Sequence, residues 1–413
     1  MSTEERKVPE LRFKGFSDDW EQRKLGDISD IQTGGTPKTK IKEYWNPKEI
    51  PWMSSGEINK KRIKKTDKKI SIFGHENSSA RWIKKNSVLV ALAGQGKTRG
   101  LVAVNEINLT TNQSIAAIIP TESLYFEFLF HNLEKRYEEL RSISSGDGTR
   151  GGLNKQLVSN LLIKLPAYDE QVKIGEILKK VNILINLHQR KLNIFKNIKH
   201  TYLLKLFADN FCSIPSLKFG EYSTSWKKYK MKDVLTVSKE RNYDNKWNRN
   251  KVLSVSREVG TVNQIEYQGR SFAGSDISKY KVVRVGQMVY TKSPLKGAPY
   301  GIFQKVSTNG IVSPLYAVFN STKGTLAEFI SLQLNDDNIA THYLAPLVTK
   351  GAKNTINVTD ETVLEGHIFV PELSEQRRIV ELIKMVDNNI SLYRSKIIHI
   401  EKLKKEYLNK MFI

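Results

Sequence analysis

The chain repeats itself at an offset of about 205 residues, and this limits its fold more than any other feature. Val8-Pro9-Glu10-Leu11-Arg12-Phe13, followed by Ser17 and Trp20, returns as Ile214-Pro215-Ser216-Leu217-Lys218-Phe219, followed by Ser223 and Trp226. Pro166, Glu170, Gln171 and Ile174 return as Pro371, Glu375, Gln376 and Ile379. From Pro166 to Phe207, 15 of 42 positions are identical to those from Pro371 to Phe412. Solenoid repeats run about 20–50 residues. This period therefore describes two copies of a whole module, each with a globular and a helical part. Two similar but unequal modules imply two similar but unequal binding faces.

The helical parts are the most legible. Ile174, Leu178, Val181, Ile185, His188, Leu192, Phe195, Lys199, Tyr202 and Leu206 alternate by four and three. Ile379, Ile383, Val386, Ile390, Tyr393, Ile397, Ile400, Lys404, Tyr407 and Met411 do the same in register. Such spacing predicts a coiled-coil seam. Pro166 and Pro371 precede the two runs and no proline interrupts them, as a helix requires. About 40 residues at 1.5 Å each give a rod of roughly 60 Å. Two matched seams in one chain can satisfy each other as an antiparallel pair. The alternatives are that each helix packs on its own globular part, or that the chain dimerises. The expected fold class is α/β (mixed α+β), with globular parts at 1–165 and 211–370 and long helices at 166–210 and 371–413.

Within the globular parts, Ser87–Leu92, Ile115–Ile119, Gln287–Tyr290 and Leu315–Phe319 are short apolar runs of buried-strand type,. Glu122–Ile143 and Thr325–Ala345 carry helical spacing. The lone Cys212 excludes an internal disulfide and a cysteine-rich metal site,, which suits a reducing cytosol. No stretch nears 18 apolar residues and the N-terminus has no hydrophobic signal region. The chain reads as soluble and cytoplasmic, with no membrane partner.

The formal charge of +23 attracts polyanions, nucleic acid first,. The charge is clustered. Thr36–Arg99 holds 16 Lys and Arg against 5 Asp and Glu, and Arg241–Gly297 holds 11 against 4. Lys38, Lys60, Lys61, Arg62, Lys64, Lys65 and Lys97, and in the second module Lys292, Lys296, Lys350 and Lys353, are candidates to neutralise phosphates. That gives affinity and salt dependence. Base choice needs arginine, asparagine or glutamine at base edges. Arg99, Asn112, Gln113 and Arg150, with Arg249, Arg257 and Arg270, lie in turn-rich loops fit for that work.

No catalytic constellation stands out. Ala93-Gly94-Gln95-Gly96-Lys97-Thr98 follows a strand but lacks the glycine six residues before the lysine that a phosphate cradle needs,. It reads as a basic hairpin tip, matched by Lys292-Ser293-Pro294-Leu295-Lys296-Gly297. The histidines show no metal-ligand spacing, and no Asp/Asn-Pro-Pro-aromatic stretch of an amino-methyltransferase occurs.

Three stretches carry a resemblance. They are Gly34-Gly35-Thr36-Pro37 with Tyr44-Trp45, Ile50-Pro51-Trp52 and Glu57-Ile58; Thr110-Thr111-Asn112-Gln113-Ser114; and Leu165-Pro166 with Glu170-Gln171 entering a long helix. In this order the chain resembles the specificity subunit of type I restriction–modification systems over nearly its whole length. The second module lacks the Gly-Gly-Thr-Pro and Ile-Pro-Trp elements. The resemblance implies two target recognition domains, each reading part of a split double-stranded DNA site, separated by two antiparallel helices. It further implies that the helices serve as a ruler and as a dock for two modification (methyltransferase) subunits, joined by restriction (translocase/endonuclease) subunits. S-adenosylmethionine, ATP and magnesium then belong to those partners and no cofactor to this chain. A stand-alone methyltransferase or nuclease, and a non-specific DNA-binding coiled-coil scaffold, are the rival readings.

Overall fold

The four apolar runs flanked by turn residues all become strands. In the computed structural model, which describes residues 8–94, 97–143, 152–208, 213–222, 225–351 and 356–413, the chain divides into two units. One comprises residues 1–189 and 395–413, the other 190–394.

The first unit contains β1 (Glu21–Lys24), β2 (Ser29–Thr33), β3 (Ile50–Met53), β4 (Arg62–Ile63), β5 (Lys68–Ile70), α1 (Ile72–Glu76), β6 (Val88–Ala91), β7 (Val102–Asn105), β8 (Thr110–Thr111) and β9 (Ile115–Pro120). Then follow α2 (Phe126–Lys135), α3 (Tyr137–Ile143), α4 (Lys155–Ser159), β10 (Leu162–Leu165) and the first part of α5 (Tyr168–Lys205). Five strands form a sheet in the order β2-β9-β6-β7-β4, three form β5-β3-β8, and β1 pairs with β10. Strands β6 and β7 are buried at every position, as continuous apolar runs require when both faces are covered,. Residues on the two faces of β6 feed different clusters: Val88 and Val90 join Phe128 and Leu129 of α2, while Leu89 and Ala91 join Ile58 and Ile63.

The second unit contains β11 (Lys227–Lys230), α6 (Met231–Val234), β12 (Leu235–Val237), β13 (Leu253–Ser256), β14 (Gly260–Asn263), α7 (Gln264–Gln268), β15 (Lys281–Val283), β16 (Met288–Tyr290), β17 (Phe303–Lys305), β18 (Gly310–Val312) and β19 (Ala317–Ser321). It continues with α8 (Ala327–Gln333), α9 (Asp337–Leu344), β20 (Thr349–Lys350), β21 (Ile356–Asn357), β22 (His367–Val370) and the first part of α10 (Leu373–Met411), the rest of which belongs to the first unit. Its main sheet runs β12-β19-β16-β17, and β11 pairs with β22 as β1 pairs with β10. The helical spacing over Thr325–Ala345 is cut in two, because Asp336 accepts hydrogen bonds from the N–H groups of Asn338 and Ile339 and starts α9 anew,. Glu122–Ile143 divides likewise into α2 and α3.

The repeat is preserved at the level of ring contacts. In the first unit Trp20, Phe128 and Phe412 meet at centroid distances of 5.8, 6.5 and 5.2 Å. In the second, Trp226, Phe329 and Phe207 meet at 5.5, 6.4 and 5.4 Å. Each long helix therefore ends in an aromatic anchor within one of the two cores. The Pro…Glu-Gln motif is also structural. Gln171 accepts from Tyr125 N–H and donates to the carbonyls of Ser123 and Pro166; Gln376 accepts from Leu326 N–H and donates to those of Gly324 and Pro371. One buried carboxamide thus ties the start of each long helix to the loop before α2 or α8, and is itself fully satisfied by backbone groups,.

Along the long helices Ile174 and Leu178 are buried in the core around Trp20, and Ile379 and Ile383 in the core around Trp226; Leu192, Val386, Ile390 and Ile397 are buried, and Val181 and Ile185 are half-buried. Within the second unit, Phe195 stacks on Tyr393 at 5.6 Å and Lys199 pairs with Asp387 at 2.7 Å. The first number rises as the second falls, so the helices run antiparallel. No described helix is long and apolar enough to cross a membrane.

Candidate nucleic-acid interface

Strand register decides which loops meet. In the first unit Thr33 lies opposite Ala116, Ala91 opposite Ile115, and Met53 beside Thr111. Three loops therefore emerge at one end of the sheets: Gly34–Pro37, Asn112–Ser114, and the tip between β6 and β7 that carries Lys97 and Arg99. Hydrogen bonds knit them together. Gly35 N–H donates to Thr111 O at 2.8 Å, Asn112 N–H to Met53 O at 3.0 Å, and Leu92 N–H to Ser114 O at 2.8 Å. The indole of Trp52 donates to Gly35 O at 3.0 Å. The glycines are required by contact: a Cβ on Gly34 would lie 2.0 Å from Thr111 O, and one on Gly35 2.1 Å from Ser79 Oγ. At the rim, the Thr36 hydroxyl donates to Gln113 Oε1 at 2.6 Å.

The second unit builds its counterpart with other residues. Tyr290 lies opposite both Ala317 and Phe303, so the tip carrying Lys292 and Lys296 shares an end with the turn before β19. Arg257, on the β13–β14 turn, donates to Lys296 O at 2.7 Å and pairs with Asp337 at 3.1 Å. Asp360 accepts from Lys292 at 2.8 Å and from the buried Lys281. Burial pushes its carboxyl up, but the two ammonium groups outweigh this and hold it below the ordinary value,. Ala317 takes the place of Ala116 in the register, so Pro314 stands where Gln113 stands in the first unit and Leu315, three-quarters exposed, where Ser114 stands.

Known proteins place this frame. Residues 17–196 match the family model of the type I restriction modification DNA specificity domain. Over 98% of its length the chain is 24% identical to the type I restriction enzyme MjaVIII specificity subunit of Methanocaldococcus jannaschii, covering 95% of that protein. The chain is similar to type I restriction–modification specificity subunits along nearly its whole length. A further specificity subunit of M. jannaschii, that of MjaIX, is 28% identical over 53% of the chain, which spans 52% of that relative's length. The crystal structure of a type I restriction–modification S subunit from M. genitalium shares the fold, with a TM-score of 0.63 over 98% of this chain and 99% of that one at 12% identity.

In this specificity-subunit frame the candidate residues separate. Lys38, Lys97, Arg99, Asn112 and Gln113 gather at one sheet end, as do Lys292, Lys296 and Arg257 in the second unit. Lys64 and Lys65 do not join them: they follow Ile63, whose partner Asn105 is at the far end of β7 from the tip. Arg62 is corrected outright. It is turned inward, where both oxygens of the buried Glu127 accept from its guanidinium at 2.6 Å and the Phe130 ring lies 4.7 Å away. Lys60 is held by Glu57 and Asp67, and Lys61 by Glu134. Arg249 donates to Gly274 O, and Arg270 lies over Phe272. Lys350 is in β20, which pairs with β21. Arg150 and Lys353 lie outside the described residues. Thr36 and Leu315 were not singled out from sequence. Thr36 stood in the quoted motif without a role, and nothing in the sequence marks Leu315 as exposed. Among the described residues no cluster of His, Cys, Asp or Glu suits a metal.

Proposed function

We propose that the chain reads DNA for a type I restriction–modification assembly, performs no bond chemistry itself, and recognises an asymmetric bipartite duplex with one half-site per unit. One observation carries this reading. The same strand ends recur in both units with different side chains on them, Gln113 and Ser114 against Pro314 and Leu315. Phosphate contacts position a protein whereas base edges specify, so a shared frame with changed rims suits two unlike half-sites. The docking of two modification subunits and of restriction subunits belongs to the same proposal. Ile183, Leu187 and Ile194 are exposed on one face of α5, and Leu392, the repeat mate of Leu187, is exposed on α10,. S-adenosylmethionine, ATP and magnesium are proposed to reside on those partners, and the place of action is proposed to be the cytosol. The test is co-expression with a modification subunit followed by genome-wide mapping of methylated adenines. A two-part asymmetric motif at the marks is expected. Marks with no common motif would refute the reading.

A further inference from the structure

The geometry points to Gln113 as a hydrogen-bond donor to an acceptor atom of the bound duplex, with Thr36 as the positioning residue that sets its orientation. This rests on the DNA-reading proposal and specifies the chemistry of one of its contacts.

A free glutamine offers a carbonyl oxygen and an amino group alike, and so can bind adenine through N6 and N7 together. Gln113 is not free. Its Oε1 accepts from the Thr36 hydroxyl at 2.6 Å, which takes up one of the oxygen's two lone pairs and leaves both N–H donors of the amino group for a ligand. Thr36 has little freedom to release it. The residue before it is fixed on three sides: Gly35 N–H to Thr111 O at 2.8 Å, Gly35 O to Trp52 Nε1 at 3.0 Å, and Cα against Ser79 with no room for a Cβ. The turn that bears Gln113 is fixed as well, through Asn112 N–H to Met53 O at 3.0 Å and Thr110 Oγ1 to Pro51 O at 3.0 Å. Threonine is also stiff at χ1. Gln113 is exposed, and Lys38 and Lys97 are exposed on loops at the same sheet end, so a polyanion drawn there meets an oriented N–H pair. Acceptors of duplex DNA are of two kinds, base-edge atoms (purine N7, guanine O6 and thymine O4 in the major groove, purine N3 and pyrimidine O2 in the minor) and phosphate oxygens.

The full chain is presented with a randomised duplex library, and the enriched duplex is then resynthesised with single-atom changes. 7-Deazapurines, 6-thioguanine, 4-thiothymine, 3-deazapurines and 2-thiopyrimidines remove or weaken base-edge acceptors, methylphosphonates remove phosphate acceptors, and purines or pyrimidines without their exocyclic amine remove donors. One acceptor-deleting change is expected to weaken the wild type about tenfold and to leave Gln113→Met unaffected. Coupling to a base analogue identifies a base-edge contact, and coupling to a methylphosphonate identifies a backbone contact. Thr36→Val should lose most of that coupling and Thr36→Ser should restore it. Coupling of Gln113 to an amine-deleted base, or to no change at all, overturns the inference while the reader proposal stands. A wild-type chain that enriches no duplex overturns both.

Discussion

At the scale of single residues, partners far apart in sequence decide what a charge does. Lys60 to Lys69 looks like one phosphate-neutralising run. Arg62 nonetheless meets Glu127, 65 positions later, with side-chain exposures of 18% and 1%. Removing one member of a buried, doubly hydrogen-bonded pair leaves the other desolvated and costs about 3–5 kcal/mol. Lys179, 3.5 Å from Glu127, offsets only part of this. Arg62→Ala is therefore expected to lower unfolding stability by about 3 kcal/mol. Lys65→Ala, on an exposed side chain, should stay within about 0.5 kcal/mol. Urea titrations of the two variants check this, and equal midpoints would contradict the pairing. This is where sequence reading stopped. Lysine and arginine types were visible, but the carboxylates that engage them (Glu127, Glu134, Asp360) are placed by topology and not by spacing.

At the scale of elements, the long helices were legible because a seam is a local, periodic property. Positions from Ile174 to Leu206 and from Ile379 to Met411 could be aligned one by one, and they prove buried or half-buried throughout. The break between α8 and α9 was not legible, since apolar spacing runs across it while the Asp336 cap ends it. The helix pair also carries charge at its flank. Burial pushes the carboxyl of Asp387 up, but Lys199 at 2.7 Å and Lys305 at 3.0 Å more than offset this and hold it below the ordinary 3.8. A carboxyl depressed in the folded state adds stability above its unfolded value and loses it as pH falls through the folded one. Asp387→Asn should therefore be less stable than wild type by roughly 2 kcal/mol at pH 7. The gap should narrow once pH drops below about 4. Midpoints for both proteins at neutral and acid pH measure it, and a gap of equal size at the two pH values would rule the mechanism out.

At the scale of the whole molecule, a charge of +23 supplies general attraction for polyanions,, and in the proposed function the two units divide the specific part. Each has its own core, one built around Trp20 and Phe128, the other around Trp226 and Phe329. Substitutions that share no partner add within about 0.5 kcal/mol. Lys97 lies at the proposed reading end of the first unit and Lys296 at that of the second. On the preferred duplex, Lys97→Ala and Lys296→Ala are each expected to weaken binding by about 1 kcal/mol and to reduce the slope of log K against log salt by about 0.9. The double variant should lose close to the sum of both, with a slope lower by about 1.8. Titrations of fluorescent duplex at several salt concentrations give all three quantities. A coupling above about 1 kcal/mol between the two positions would mean that the units do not read independently. Loss of slope without additivity in energy would place the two lysines on one shared stretch of backbone instead of on two half-sites.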